Sequence, residues 1–482
     1  MGLVAGIDSS TQSVKVELRD EDSGRVVATG RAAHPVTTPP RSEQNPHAWW
    51  TALVDAFAQT GPHRGDVTAV SVAGQQHGMV VLDVAGQVIR PAKLWNDTES
   101  ATEADALVSR LGADTWAQAC GSVPVAAFTV TKLAWLAEHE PHHYARIAHV
   151  LLPHDWLTYR LTEQFTTDRG DASGTGYYDA PAGRWRNDLL AAVGPVLDWD
   201  SILPRVVTPL AAAGQLSTEA AGQLGLPAGI SVAAGTGDNM AAALGLGLGP
   251  GDIAISYGTS GTVYAVSATP TRDTTGCVAG FADASGNYLP LVCTLNATKV
   301  TAAVARLLGA DLHEFNDLVL AAPSGSGGLV LLPYLDGERT PNRPDATGVL
   351  AGIRSDVSRE QLARASVEGV VCGLLDGVDS LKAAGVPTDG RVLVLGGGAR
   401  SIAYRHITAD LIGRPIEVPD ADEHVATGAC VQAAAMRTGS APTDVAAAWN
   451  VGSGPATAPG TSSSPSGADA AGVRAAYAAV RG

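Results

Sequence analysis

Several side chains that could transfer a proton or bind a hydroxyl group follow directly after short apolar runs of this sequence. An aspartate can accept a proton or bind a cation, amides and imidazoles bind hydroxyl groups, and glycines let a ligand approach the main chain. In open α/β sheets, ligands bind at the carboxyl ends of the strands. The runs and the candidate residues that follow them are Leu3–Ile7 with Asp8, Val70–Ala73 with Gln76 and His77, Ile230–Ala234 with Asp238 and Asn239, and Val392–Leu395 with Gly397 and Gly398.

Asp238 has two alternative roles that the local sequence leaves open. It opens a predicted helix after the turn Gly235–Gly237, a position where Asp commonly serves as an N-cap. Alternatively, its carboxylate lies at the edge of a cleft and accepts a proton from an attacking hydroxyl group. The glycines before it would let a ligand come close, which a cap does not require.

The other candidates also allow both a structural and a functional interpretation. Asp8 could bond the N–H groups of the turn that follows it, or it could anchor Mg²⁺ through water. His77 could be an interior histidine with satisfied hydrogen bonds, or it could contact a substrate hydroxyl from its position beside Gly78. Gly397 and Gly398 could form a tight turn or a surface against which an adenine ring lies.

Two stretches of the chain have the pattern of the same β-hairpin. In the first, 3–8 and 13–18 flank the turn Ser9–Gln12, which contains Thr11; in the second, 253–257 and 262–266 flank the turn Gly258–Gly261, which contains Thr259. Gly, Ser and Thr expose main-chain N–H groups and hydroxyls at a bend. Two such turns facing each other would hold a polyphosphate from both sides, which predicts a two-domain nucleotide-binding enzyme.

The order of elements predicts an α/β protein with two domains. A chain of 482 residues is too long for one core, and apolar β-rich runs alternate with helical patterns. The glycine-rich stretch 245–251 suggests domains at 1–245 and 246–482. Helices are predicted from Asn45, over 359–384 and over 469–480. The segment 439–467 is rich in small and polar residues, and we interpret it as a loop or linker.

Composition and motif spacing exclude several other classes of protein. A net charge of −16 argues against a nucleic-acid partner, and no apolar run has the length of a membrane helix. The sequence contains no Walker A motif, no dinucleotide fingerprint and no nucleophile elbow in a strand–helix setting. The five scattered cysteines and the missing signal-peptide pattern predict a cytoplasmic protein with reduced thiols.

At these positions the chain resembles the FGGY family of carbohydrate kinases, within the actin/Hsp70/hexokinase group of ATPases. The similarity covers about residues 3–437. The matching stretches are Gly6–Gln12, Ser42–Pro46, Trp49–Trp50, Gly74–Gly78, Leu94–Asp97, Phe128–Trp135, Leu151–Asp155, Gly237–Asn239, Ser256–Gly261, Leu332–Pro341 and Gly396–Arg400. The Gln76-His77-Gly78 and Trp95-Asn96-Asp97 segments are most similar to the members that phosphorylate D-xylulose.

The resemblance implies a fold, a reaction and a role for each candidate residue. It implies two actin-like, ribonuclease-H-like ATPase domains around a central cleft, with sugar and base in the first domain and ATP in the second. Asp238 would be the general base of a Mg²⁺-dependent phosphoryl transfer. The sugar would contact Gln76, His77, Asp238 and Asn239, the phosphates would face Thr11 and Thr259, adenosine would lie on Gly397 and Gly398, and Asp8 would position Mg²⁺.

The remaining expectations concern substrates and partners. D-xylulose and ATP are the expected substrates, and related kinases suggest a homodimer that has neither a nucleic-acid nor a membrane partner. Another ketose, a polyol or gluconate is the alternative within the family. A non-catalytic actin-like ATP switch is the alternative from another class, and it would need neither His77 nor Asp238.

Overall fold

Both predicted hairpins are present in the computed structural model, which describes residues 2–460 and 469–482. In the first, Leu3–Ser9 pairs antiparallel with Ser13–Asp20, and Ile7 lies opposite Val16. In the second, Ile253–Tyr257 pairs antiparallel with Gly261–Ala265. Most side chains of both hairpins are buried, which explains why their alternating apolar residues form strands rather than loops.

The secondary structure alternates between strands and helices along the whole described chain. The strands are β1 Leu3–Ser9, β2 Ser13–Asp20, β3 Val26–Ala33, β4 Glu43–Gln44, β5 Val67–Gly74, β6 Val80–Leu82, β7 Ala92–Lys93, β8 His149–Leu151, β9 Thr166–Asp168, β10 Tyr178–Asp179, β11 Arg184–Trp185, β12 Arg205–Val207, β13 Ala212–Gln215, β14 Ser231–Ala233, β15 Thr236–Gly237, β16 Ile253–Tyr257, β17 Gly261–Ala265, β18 Ala279–Ala282, β19 Tyr288–Thr294, β20 Val330–Leu332, β21 Val349–Ala351, β22 Val392–Leu395, β23 Ile416–Glu417 and β24 Ala456–Thr457. The helices are α1 Pro46–Gln59, α2 Ala101–Leu111, α3 Ala113–Cys120, α4 Thr129–His139, α5 Pro141–Tyr144, α6 Pro153–Thr162, α7 Arg169–Ser173, α8 Asn187–Leu190, α9 Trp199–Ile202, α10 Thr218–Leu224, α11 Asp238–Gly245, α12 Thr298–Leu308, α13 Leu312–Ala321, α14 Arg359–Ala383, α15 Ile402–Ile412, α16 Val425–Thr438, α17 Pro442–Ala448 and α18 Ala470–Arg481.

The chain divides into two compact units. The first comprises Met1–Leu248, Ala268–Leu289 and Glu423–Gly452, and the second comprises Gly249–Ser267, Pro290–Asp422 and Ser453–Gly482. The sequence predicts a division near residue 245, but it contains no local signal that assigns the two later segments to the first unit. Their assignment depends on packing between residues that are distant in sequence.

The sheet of the first unit has the strand order β13-β14-β5-β1-β2-β3, and β15 also pairs with β5. Strands β1, β2 and β3 are antiparallel neighbours, whereas β5 runs parallel to both β1 and β14. The carboxyl ends of β1, β5 and β14 therefore meet at one edge of the sheet. The apolar residues of these strands pack against helices α1, α6 and α10 in one continuous core.

The sheet of the second unit repeats the same arrangement. Its order includes β19-β17-β16-β22-β23-β24, in which β16, β17 and β19 are antiparallel neighbours and β22 is parallel to both β16 and β23. Each unit thus combines an antiparallel meander with parallel strands added beside its first strand. This duplicated mixed sheet is the actin-like, ribonuclease-H-like fold expected from the sequence.

The predicted helix boundaries follow from their capping residues. Helix α1 begins after Asn45, whose side chain accepts a hydrogen bond from His47 N–H, and Pro46 occupies its first position. Helix α14 begins with a capping box formed by Ser358 and Gln361. The short C-terminal helix also forms, as α18. These three predictions are confirmed.

The interpretation of 439–467 as a loop or linker is wrong for part of this segment. Helix α17 forms within it, and β24 pairs with β23. Val445 and Ala446 are buried against α16, in a cluster made almost entirely of small side chains. Alanine has the highest helix propensity, so a helix with few large apolar residues can still form where its packing surface is shallow. The part of the prediction that covers 461–467 lies outside the described residues.

Two features of the structure bear on the expectations from composition. Along the described ranges, no helix combines the length and the apolar character needed to cross a membrane. The five cysteines are free, and three of them, Cys120, Cys372 and Cys430, are buried. A free, buried cysteine packs as a small apolar side chain.

Candidate active site

Asp8 is fixed by the turn that joins β1 and β2. Its buried carboxylate accepts hydrogen bonds from Ser10 Oγ and from Lys15 Nζ, the latter at 3.1 Å. Lys15 Nζ also lies 2.6 Å from Glu423 at the start of α16. Burial raises the pKa of Asp8 above its ordinary value, although the charge of Lys15 opposes this effect. The structure therefore places a carboxylate with one cationic neighbour at the carboxyl end of β1.

Thr11 lies in the same turn and connects it to the neighbouring loop. Its hydroxyl donates to Gln75 Oε1 at 3.1 Å and accepts from Trp95 Nε1 at 2.9 Å. These two hydrogen bonds hold the turn against the loop that follows β5 and against the segment that follows β7. Thr11 is half-buried, and its hydroxyl is held in a fixed position.

Gln76 and His77 follow β5 and are both buried. His77 has a left-handed main chain, with φ 65°. Its Nδ1 lies 2.7 Å from the carbonyl oxygen of Gly174, and its ring stacks on Phe128 at a centroid distance of 4.9 Å. A carbonyl can only accept, so Nδ1 carries the proton in this pair. The strained main chain and these fixed contacts are typical of a binding residue rather than of ordinary core packing.

Asp238 is the first residue of α11, and the N-cap position belongs to Gly237. The Asp238 carboxylate accepts from Asn239 N at 2.8 Å and from Asn239 Nδ2 at 3.1 Å. Asn239 Nδ2 also donates to Gln76 Oε1 at 2.8 Å. The structure thus brings together three residues that the sequence places on two separate strand ends.

The environment of Asp238 favours its protonated form. Burial, together with the negative charges of Asp8 and Asp171, raises the pKa of Asp238 to about 8. A carboxylate with such a pKa is a stronger base than an ordinary aspartate and retains a proton once it has accepted one. Perturbation by burial and by like charges is also typical of functional sites.

Three of the four residues predicted to bind the nucleotide, Thr259, Gly397 and Gly398, lie in the second unit, whereas Thr11 lies in the first. Thr259 belongs to the turn between β16 and β17, and its carbonyl oxygen accepts from Ala297 N at 3.2 Å. Gly397 begins a single 3₁₀ turn after β22, and no other atom lies within 4 Å of the position where its side chain would begin. At Gly398, a Cβ atom would lie 2.6 Å from Tyr257 Cβ, so this position is restricted to glycine by packing. An open glycine beside a close-packed one leaves room for a planar ligand.

Sequence reasoning missed a buried charged cluster behind the candidate site. His154 Nδ1 lies 2.7 Å from Asp171 Oδ2, and its Nε2 lies 3.2 Å from Asp155 Oδ1 and 3.9 Å from Asp168 Oδ1. All four side chains are buried. Residues 154 and 155 fall within a stretch that resembles the family, but 168 and 171 do not. The available signal for this cluster was the pair Asp168 and Asp171, which lie three residues apart directly after a short β-rich run.

A second cluster of carboxylates already contains a cation. Oxygen atoms of Glu43, Asp97 and Glu99 lie within 4.8 Å of one another, close enough to share a metal ion. The ammonium of Lys93 lies among them, 3.3 Å from Glu43, 3.1 Å from Asp97 and 2.5 Å from Glu99, and faces the ring of Trp135 at 3.8 Å. Lys93 therefore supplies positive charge to all three carboxylates, and Glu43 also pairs with Arg90 at 2.6 Å.

Comparison with known proteins identifies the class of protein that this fold and site define. Residues 3–245 match the FGGY family of carbohydrate kinases, N-terminal domain, and residues 253–437 match its C-terminal domain. The chain belongs to the FGGY family of carbohydrate kinases.

Particular relatives share most of their length with this chain. A xylulose kinase of Streptomyces coelicolor is 49% identical, over 94% of this chain and 92% of that protein, and one of Escherichia coli is 36% identical, over 86% and 85%. The crystal structure of xylulose kinase from Bifidobacterium adolescentis superposes with a TM-score of 0.88 at 40% identity, covering 100% of this chain and 99% of that one. The similarity thus extends over both units.

Proposed function

We propose that this protein transfers the γ-phosphate of ATP to D-xylulose and forms D-xylulose 5-phosphate, with Asp238 as the general base. The observation that carries the proposal is the hydrogen-bonded group of Gln76, Asn239 and Asp238, which joins two strand ends around a carboxylate with a raised pKa. Relatives up to 49% identical over nearly the whole chain bear the name xylulose kinase, and this supports the choice of sugar.

In this mechanism the residues of the first unit bind and orient the open-chain ketose. Gln76, His77 and Asn239 hold its hydroxyl groups, so that the terminal hydroxyl lies against Asp238. The carboxylate accepts the hydroxyl proton as the oxygen attacks the γ-phosphorus in line. Positioning supplies most of the rate, because phosphoryl transfer needs little covalent help from the protein. The high pKa of Asp238 favours its role as proton acceptor.

The residues that we propose for the nucleotide and its cation lie in the two hairpins and after β22. Thr11 and Thr259 would contact the phosphates, Gly397 and Gly398 would line the adenosine site, and Asp8 would hold Mg²⁺. The side chains present fit such a cation, because the charge of Asp8 raises the pKa of Asp238 and a divalent ion would relieve that repulsion. When bound, Mg²⁺ would neutralise charge on the phosphates. The homodimer expected from related kinases stays a prediction.

Replacement of the base tests the proposed chemistry. Asp238→Ala should fold and bind ATP but lose about 10²–10⁴-fold in kcat, the usual contribution of a general base. ADP release is measured in a coupled assay with D-xylulose, and nucleotide binding is measured separately by calorimetry. Asp444→Ala is the matched control, because Asp444 is an exposed aspartate in the first turn of another helix of the same unit. Retention of more than about a tenth of the wild-type kcat would remove Asp238 from this role.

A panel of acceptors tests the choice of sugar. D-Xylulose should give the highest kcat/KM among ketoses, polyols and gluconate in the same coupled assay. A higher kcat/KM with another acceptor would keep the kinase chemistry and overturn the substrate assignment. ATP hydrolysis that is slow and unaffected by any sugar would instead indicate an actin-like ATP switch.

A further inference from the structure

His154 is a buried cation that faces carboxylates on both sides of its ring. It is the second residue of α6, with Nδ1 at 2.7 Å from Asp171 and Nε2 at 3.2 Å from Asp155. Burial alone would lower the pKa of the ring, but the charges of Asp155, Asp171 and Asp168 outweigh it and raise that pKa to about 9. The ring therefore carries a positive charge at neutral pH.

His154 packs against both loops that carry the proposed site, with its Cβ atom and main chain against one and its ring against the other. A Cβ atom at Gly74 would lie 2.9 Å from His154 Cβ, and one at Gly235 would lie 2.7 Å from His154 Cδ2. Only glycine fits at such distances. Gly74 precedes Gln76 by two residues and Gly235 precedes Asp238 by three. The position of His154 therefore limits how far either loop can move inward, and its ring does so directly at Gly235.

The carboxylates around His154 connect it to further parts of the site. Asp168 accepts from two N–H groups in the first turn of α7, at 2.8 and 2.9 Å, and from Thr236 Oγ1 at 2.9 Å. Thr236 lies two residues before Asp238. At the other end of α7, the carbonyl oxygen of Gly174 lies 2.7 Å from His77 Nδ1. Helix α7 therefore contacts the base loop at one end and the sugar loop at the other.

Burial of these charged groups costs free energy of folding. The ring of His154 faces three buried acidic groups, and burial raises the pKa of each of them, that of Asp155 to about 7 and that of Asp168 to about 6. The second oxygen of Asp171 is buried and, within the part of the chain that is described, has no hydrogen-bond partner. Well-packed apolar residues often replace buried ion pairs without loss of stability. A costly buried polar group beside a site is therefore better explained by a requirement of the site than by a contribution to folding.

We infer that His154 and Asp171 form a buried ion pair that positions the sugar-binding loop and the base loop relative to each other. Both are positioning residues, since they act through Gly74, Gly235 and α7 rather than by touching substrate. The inference rests on the proposed function, because it assigns these loops their roles in sugar binding and proton transfer.

A double-mutant cycle tests the pair. His154→Asn keeps an N–H donor near the place of Nδ1 but removes the charge, and Asp171→Asn keeps an acceptor but removes the opposite charge. Each single variant should lower kcat/KM for D-xylulose by about 10–100-fold, because small displacements of reacting groups cost that much. The KM for MgATP should change by less than about twofold, since its proposed ligands are held elsewhere. The double variant should regain about tenfold over His154→Asn, because it removes one of the three acidic groups that the loss of the imidazolium leaves without their cation.

Arg19→Gln is the control for a loss of stability alone. Arg19 is a buried cation of the same unit, 2.8 Å from Glu17, and it pairs with Val4, four residues along β1 from Asp8. This variant should lower the apparent Tm and leave both KM values within about twofold of wild type. All rates are measured at a temperature where near-ultraviolet circular dichroism shows the variants folded, and Asp171→Asn, which retains the cation, serves if His154→Asn does not fold.

The outcomes separate this inference from the proposed function. If both single variants lose stability but keep the wild-type kcat and sugar KM, the pair is purely structural and the inference is wrong. Independent, multiplicative effects in the double variant would also overturn it. If Asp238→Ala retains activity, the proposed function itself fails, whatever the cycle shows.

Discussion

Lys93 offers the sharpest test of how this fold balances buried charge. Its side chain is fully buried at the centre of Glu43, Asp97 and Glu99, and the aromatic face of Trp135 covers it. Lys93→Met keeps an unbranched side chain of similar length but removes the only cation that faces all three carboxylates among the described residues. In the variant, Glu43 would keep its pair with Arg90 at 2.6 Å, whereas Asp97 and Glu99 would lose the ammonium that pairs with them.

The expected loss follows from the burial of this group. Removing one partner of a buried ion pair costs about 3–5 kcal/mol, because the remaining charge stays desolvated. The first unit contains roughly 300 residues, and for a unit of this size such a loss corresponds to a fall in Tm of about 5–8 °C. Lys382→Met is the matched control, since Lys382 is exposed and pairs with Asp379 on the surface of α14. Its effect should stay within about 0.5 kcal/mol.

Thermal unfolding followed by circular dichroism measures both variants. The double variant Lys93→Met/Glu99→Gln should recover part of the loss, because it removes one of the charges left unbalanced. If Lys93→Met unfolds at the wild-type Tm, or if the second substitution lowers Tm further, the argument from charge balance is wrong. Uncompensated burial of the carboxylates would then be tolerated through solvent access or local rearrangement.

Two further predictions concern packing and pH. Gly428→Ala should lower the free energy of unfolding by about 1–3 kcal/mol or more, because its Cβ would lie 1.8 Å from the carbonyl oxygen of Ala241. Gly222→Ala lies on an open helix face and should raise the free energy of unfolding by about 0.5–1 kcal/mol. Equal effects of the two substitutions in thermal unfolding would contradict this prediction. Because burial and the charge of Asp8 raise the pKa of Asp238 to about 8, the base must lose a proton that it holds at neutral pH. With both substrates far below their KM, the rate should rise about tenfold from pH 7 to pH 9, and a flat profile would contradict the assignment.

Local sequence patterns predicted the hairpins and the long helices. In β1 and β2 an alternating run flanks a turn of small polar residues, so local geometry and burial require the same conformation. Helix α14 begins at Ser358 for a reason that also lies within one turn of sequence, its capping box with Gln361. Such elements are predictable because the residues that determine them are neighbours in the chain.

The parts that could not be predicted depend on distant partners. Helix α17 forms because Val445 and Ala446 pack on α16, and α16 itself belongs to the first unit although it follows the second in sequence. The charged cluster requires His154 and Asp171 to meet across two elements, while Thr236 reaches Asp168 from 68 residues away. No periodicity or turn signal encodes these pairings. Resemblance to a family supplied the roles predicted for Asp8, Gln76 and Asp238, but it did not predict the network of hydrogen bonds and ion pairs beside them.

Asp311, a helix N-cap in the same chain, differs from Asp238 in the direction of its pKa shift. Asp311 is the N-cap of α13, and its carboxylate accepts from two N–H groups of the first turn. These hydrogen bonds lower the pKa of Asp311, because they favour its charged form. Asp238 lies one position further into its helix, and burial beside other carboxylates raises its pKa to about 8.

The opposite shifts have opposite consequences for stability. An acid with a lowered pKa stabilises the fold above its ordinary pKa, whereas one with a raised pKa makes the fold less stable as pH rises from about 4 to about 8. Asp311 therefore contributes to its helix at neutral pH, while Asp238 detracts from the stability of the first unit. A residue placed only to begin a helix would not be held in the environment of Asp238. The loss of stability is understandable if the site requires a carboxylate that takes up a proton readily at this position.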